Sequence, residues 1–262
     1  MKTKGKKAMS LAAVLAIVMM GFISLSARNA AAQGSELSVL SSDGMQPAVR
    51  ELTPQIEHSI GRRVKLQFDS SKNLVDKITA GEAFDVAILT TATLDDMIKQ
   101  GKVTADSRIE LARCGVGVGV RSGTPKPDIS TPEAMKRTLL SAKFVTYNST
   151  GATAGLVNNV FERLGIVEAM KPKVMADPVS GGAQKKVAEG KADLVLILIP
   201  EVTQEPGVDY VGPLPGNLQS YINFTGGVAA NSHDPEKAKA LLRFITTPAA
   251  AQVLKAKGME PR

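Results

Sequence analysis

The residues best placed to do chemistry are hydroxyls in short polar runs, each next to an apolar segment. Ser41-Ser42-Asp43-Gly44 follows the segment from Glu36 to Leu40, Asp69-Ser70-Ser71 follows Arg63 to Phe68, and Thr90-Thr91 follows Phe84 to Leu89. Farther along, Asn148-Ser149-Thr150 follows Phe144 to Tyr147, and Ser180-Gly181 precedes a helical stretch. At a strand-to-helix turn such residues can cap the helix by accepting from its unpaired N–H groups. They can also join those N–H groups, at the positive end of the helix dipole, in donating hydrogen bonds to an oxyanion. Both readings stand for any single serine, whereas several turns of one kind are better explained by a shared small-anion site. The expected ligand contacts are Ser41, Ser42, Gly44, Ser70, Ser71, Thr90, Asn148, Ser149, Thr150, Ser180 and Gly181.

Proton transfer would need a base as well, and Asp43, Lys72 and Glu201 fall near predicted turn ends from which they could approach such a site. The more ordinary role for each is a surface or structural charge. The two histidines, His58 and His233, look peripheral; His58 falls off the apolar stripe of its helix. Cys114, the single cysteine, sits in the apolar run Leu111 to Val118 and reads as a small buried residue rather than a nucleophile. No metal-ligand spacing, Ser-His-Asp order or CxxC pair occurs. Gly115-Val116-Gly117-Val118-Gly119 alternates like a strand and opens no helix, so no nucleotide site is read there. Neither a cofactor nor a metal is expected.

These turns need a scaffold. Pro47 to Ile60 carries apolar Val49, Leu52, Ile56 and Ile60 at helical spacing, with a bend or irregular start expected at Pro54. Strands are expected at Glu36 to Leu40, Arg63 to Phe68 and Phe84 to Leu89, with a helix from Asn73 to Ala80 before the third. This alternation makes a parallel sheet with crossovers, whose ligands bind beyond the carboxyl ends of the strands. A second unit repeats the order: a helix over Pro132 to Ser141, a strand over Phe144 to Tyr147, a helix through Leu164, and the apolar strand Ala192 to Ile199. Strands near Gly115 to Arg121 and Ile222 to Ala230 are the candidate crossings between the units.

Two segments carry a family resemblance. Ser70-Ser71-Lys72-Asn73-Leu74, followed by Gly81-Glu82-Ala83-Phe84-Asp85-Val86, resembles the Ser-Ser-Gly-x-Leu and Gly-x-x-x-Asp-Val pattern of the molybdate-binding-like branch of bacterial type II periplasmic solute-binding proteins. Gly190-Lys191-Ala192-Asp193 is similar to that family's Gly-x-Ala-Asp segment. The resemblance implies an α/β, two-lobed Venus-flytrap fold with a ligand cleft between the lobes. It departs from the molybdate binders where Leu198 stands at their tyrosine and where the first turn carries Asp43, an acid that would repel an oxyanion unless turned away. Arg121 to Ile129 and Pro206 to Pro215 resemble a sub-branch that includes bacterial aconitate isomerase, an enzyme on the same fold. Two functions follow from this: a receptor for a di- or tricarboxylate or other small oxyanion, serving an ABC-type transporter, or an isomerase moving an allylic proton.

Export fits both. Lys2, Lys4, Lys6 and Lys7 precede an apolar run from Met9 to Leu25 and then Ala30-Ala31-Ala32, the pattern of a cleaved signal peptide over residues 1–32. The formal charge of +7 is largely in that leader; losing its four lysines and Arg28 leaves 27 basic against 25 acidic residues, so the high pI does not argue for nucleic acid. Tryptophan is absent, which speaks against a sugar-stacking site. The expected organisation is a first part of lobe 1 over 33–120, lobe 2 over 121–221, and a return to lobe 1 over 222–262, in a periplasmic monomer.

Overall fold

A computed structural model describes residues 36–262, so the expected signal peptide lies outside the described residues. The first strand, β1 (Leu37–Ser42), pairs in parallel with β2 (Val64–Asp69) and β3 (Val86–Thr90). Between them run α1 (Gln46–Ile60) and α2 (Ser71–Thr79), and α3 (Thr91–Lys99) follows β3. The spacing that predicted α1 buries Val49, Leu52, Ile56 and Ile60 on one face. The helix runs through Pro54 and stops at Gly61, whose φ of 64° is the left-handed conformation that glycine adopts without a Cβ penalty. Helix α2 starts two residues earlier than its apolar pattern suggested, because the Ser70 hydroxyl accepts from the Asn73 N–H and caps it.

β4 (Ile109–Arg121) organises the rest. Its first half, through Gly115, pairs with β8 (Tyr221–Val228), which in turn pairs with β3, giving a sheet ordered β2-β1-β3-β8-β4. From Val116 onward it pairs instead with β6 (Leu194–Leu198) and β7 (Val208–Pro213), and β6 pairs in parallel with β5 (Val145–Thr146). One strand therefore belongs to two sheets and changes between them at Gly115 and Val116. The Gln219 side chain secures that change: its Oε1 accepts from the Val116 N–H at 2.9 Å and its Nε2 donates to the Val116 carbonyl at 2.9 Å. An alanine Cβ at Gly115 would lie 2.7 Å from this amide.

The second sheet carries α4 (Pro132–Ser141), α5 (Thr153–Arg163), the short α6 (Val167–Met170), α7 (Gly182–Ala188) and the one-turn α8 (Ile199–Val202). All five residues of β6 are buried, as its unbroken apolar run requires of a strand covered on both faces. Helices α9 (Pro235–Ile245) and α10 (Pro248–Ala256) then return to the first sheet, and β9 (Glu260–Pro261) pairs with β4. Three starts follow one sequence rule, a capping oxygen followed by proline: Thr131 accepts from Ala134 N–H, Asp234 from Lys237 N–H and Thr247 from Ala250 N–H. Cys114 is buried within β4. No described helix is long and apolar enough to cross a membrane.

A candidate ligand cleft with two buried carboxyls

The strand-end turns of both sheets meet over a narrow cavity of about 20 Å³, room for roughly one water. From the first sheet come Ser42 at the end of β1, Ser70 and Ser71 at the start of α2, and Thr90 at the end of β3. From the second come Asn148 beyond β5, Leu198 at the end of β6, and Glu201 in α8. Phe224 of β8 forms part of the wall.

Local bonding separates caps from free donors. Ser70 caps α2, while the Ser71 hydroxyl accepts from the Thr90 N–H at 3.1 Å, tying the start of α2 to the end of β3. The Thr90 and Thr93 hydroxyls share a 2.6 Å bond. The Asn148 Oδ1 accepts from the N–H groups of Thr150 and Gly151 and from the Thr150 hydroxyl, which holds the 148–151 turn in place. Asp69 anchors the second turn. Burial acts to raise its pKa, but hydrogen bonds from Lys77, Asn73 and the Ser70 N–H outweigh this and hold it below the usual value.

Not every expected contact lies in this cavity. Ser41 is fully buried inside β1, its hydroxyl reaching only the Ser42 carbonyl at 3.4 Å. Gly44 does not line this cavity; a Cβ there would strike Phe224 at 2.6 Å and Leu198 at 2.8 Å, so its lack of a side chain lets the two sheets approach. Ser149 is exposed, its N–H donating to the Asp177 carbonyl, and Thr150 is spent on Asn148 and Pro178. Ser180 and Gly181 line a second, polar cavity of about 280 Å³ with Gln46, Gln184, Gln204 and Glu205. Asp43 and Glu201 line both cavities and join them.

Of the candidate bases, Lys72 is exposed and paired with Asp76 one helical turn away at 2.7 Å; its place on the outer face of α2 turns it from the cleft. His58 and His233 are exposed. Asp43 and Glu201 are both buried, with 6% and 5% of their surface exposed. Desolvation pushes Asp43 up to about 6, with the nearby Asp69 adding and the Ser180 hydroxyl and Lys77 opposing. Desolvation and then the neighbouring Asp43 push Glu201 up to about 8. The Asp43 Oδ1 has no hydrogen-bond partner, nor does the Gln184 Oε1 across the second cavity. Sequence reasoning missed Gln46 and Gln184, in helices, and Gln204 and Glu205, in the turn after α8, none of which carries a signal that it faces a seam. A larger groove of about 470 Å³, between Arg121–Pro127 and α4, contains none of the strand-end turns.

Two α/β sheets joined through a shared strand, with helix starts from both meeting at the seam, define a two-lobed type II binding-protein fold. The chain belongs to the family of bacterial extracellular solute-binding proteins, whose profile matches residues 37–260. It is 30% identical to an aconitate isomerase of Pseudomonas sp over 233 residues, covering 86% of this chain and 87% of that protein. Its fold is similar to the periplasmic molybdate-binding protein of Azotobacter vinelandii, with a TM-score of 0.73 at 18% identity over 86% of this chain and 98% of that one. It is likewise similar to the sulfate-binding protein SubI of Mycobacterium tuberculosis, with a TM-score of 0.70 at 19% identity over 87% of each chain.

Proposed function

We propose that this solute-binding protein is exported to the periplasm and closes over a small polycarboxylate, which it delivers to the membrane component of an ABC-type transporter. The observation that carries the reading is the convergence of Ser42, Ser71 and Thr90, at strand ends and helix starts of one sheet, with Asn148 of the other. Hydroxyls and helix N-termini suit a carboxylate oxygen. Molybdate fits less well, since Leu198 stands at the tyrosine of the molybdate binders and offers no donor. A ligand of several carboxylates would need more room than about 20 Å³, so it enters by separation of the sheets at the seam. Titration calorimetry with citrate, tricarballylate, cis- and trans-aconitate and molybdate tests this. Replacing Ser42 and Ser71 together by Ala is expected to weaken tricarboxylate binding by at least ~10-fold, on hydrogen bonds to charged groups worth about 1.5–3 kcal/mol. An unchanged affinity in the folded double variant would remove these serines from the site.

A second reading, in which the bound polycarboxylate is also isomerised, is favoured by two observations. One is the 30% identity to an aconitate isomerase across most of both chains. The other is the pair of buried carboxyls beside the donor-bearing turns, groups able to give and take a proton.

A further inference from the structure

Asp43 and Glu201 reach the cleft from opposite sides of the seam. Asp43 follows β1 of the first sheet in a 3₁₀ turn, and Glu201 lies in α8 immediately after β6 of the second. Both border the cavity formed by the donor-bearing turns, so a molecule held by Ser42, Ser71 and Thr90 lies against both carboxyls. Acidic residues at a seam do not by themselves make a site. Here, however, the Asp43 Oδ1 is buried and left without a partner, an arrangement that folding alone penalises. The cation that acts on Asp43, Lys77, is engaged elsewhere, bound to Asp69. Glu205 shares the second cavity with the pair, and the Cys114 thiol lies near Glu201.

We propose that Asp43 and Glu201 are the proton-transfer pair of this cleft, acting on a bound unsaturated polycarboxylate with an acidic allylic carbon. The inference rests on the reading that the cleft takes a polycarboxylate. The ionised Asp43 carboxylate removes a proton from the methylene carbon, and the electron pair of that C–H bond becomes the new double bond. The pair of the old double bond takes a proton from the Glu201 carboxyl at the far allylic carbon. Asp43 ends protonated and Glu201 ionised, and transfer of one proton from Asp43 to Glu201 resets the site. The reverse reaction exchanges their roles, so the double bond moves one carbon with no net proton change and no co-reactant. The hydroxyls and helix starts at Ser42, Ser71 and Thr90 stabilise the negative charge that spreads into the substrate carboxylate during transfer. With Asp43 at about 6 and Glu201 at about 8, neutral pH keeps the first mostly ionised and the second mostly protonated, the states the step requires.

The test incubates the mature protein with cis- and trans-aconitate in deuterated buffer, following interconversion by chromatography and deuterium uptake by mass spectrometry. The wild type is expected to incorporate deuterium at the allylic position, with a rate that rises through about 6 and falls through about 8. Asp43→Asn and Glu201→Gln, each near-isosteric, are expected to lose at least ~100-fold in exchange while calorimetric affinity stays within ~10-fold. The exposed Lys72→Ala variant keeps full exchange. Wild-type binding without exchange or interconversion overturns the proposal and leaves the receptor reading intact. Full exchange in either carboxyl variant overturns that residue's role. Absence of any polycarboxylate binding overturns the ligand reading and the proposal together. The wild-type exchange decides the matter even where a variant fails to fold.

Discussion

At the scale of single residues, the two seam carboxyls also govern stability. Both have folded pKa values raised above the ordinary range, so each stabilises the closed fold while protonated. That contribution is complete below about pH 4, and it is lost as pH rises through about 6 for Asp43 and about 8 for Glu201. Melting temperature is therefore expected to fall between pH 5 and pH 9, by the equivalent of a few kcal/mol given the burial of Glu201. Glu201→Gln is expected to melt about 5–10 °C above wild type at pH 9 and close to it at pH 5; parallel curves for the two proteins would show that Glu201 does not carry the pH dependence. The hydroxyls around these carboxyls were legible because short polar runs beside apolar ones mark strand ends. Which of them cap and which face the cleft was not, since Ser70 and Ser71 are alike in sequence and differ only in what their neighbours offer. Lys72 failed as a candidate for a similar reason: one residue along a helix turns a side chain by about 100°.

Among the elements, those with local signals could be read from sequence. The Thr-Pro and Asp-Pro starts of α4, α9 and α10 lie where capping chemistry puts them, and the apolar stripe of α1 faces the core. Elements fixed by distant partners could not. β9 exists only because Glu260 and Pro261 find the edge of β4, and α8 takes over at Ile199, the last residue of what reads as one apolar strand. β4 begins at Ile109, where alternation is weak, because β8 supplies its partner. The two sheets meet closely at Gly44, between Phe224 of the first and Leu198 of the second. Both neighbours are buried, so Gly44→Ala is expected to cost about 1–3 kcal/mol in a denaturant titration. It should weaken ligand affinity as well, by holding the two sheets apart. An alanine variant that melts and binds as wild type would mean that the seam is looser than the packing indicates.

The molecule as a whole is two sheets with a shared strand, and the place where that strand changes sheets is also where Cys114 lies. Burial, with Glu201 adding, pushes its thiol well above the ordinary range, so it is unreactive while the seam is shut. A protein with a single cysteine carries a built-in reporter at the pivot: only molecules whose sheets have parted present a thiol that a disulfide reagent can trap. Labelling should accelerate in Gln219→Ala, which removes both bonds holding Val116, and should slow by about 100-fold at a ligand concentration of 100 times Kd. The time course of one sulfur would thus count openings directly, without a fluorophore and in unmodified protein.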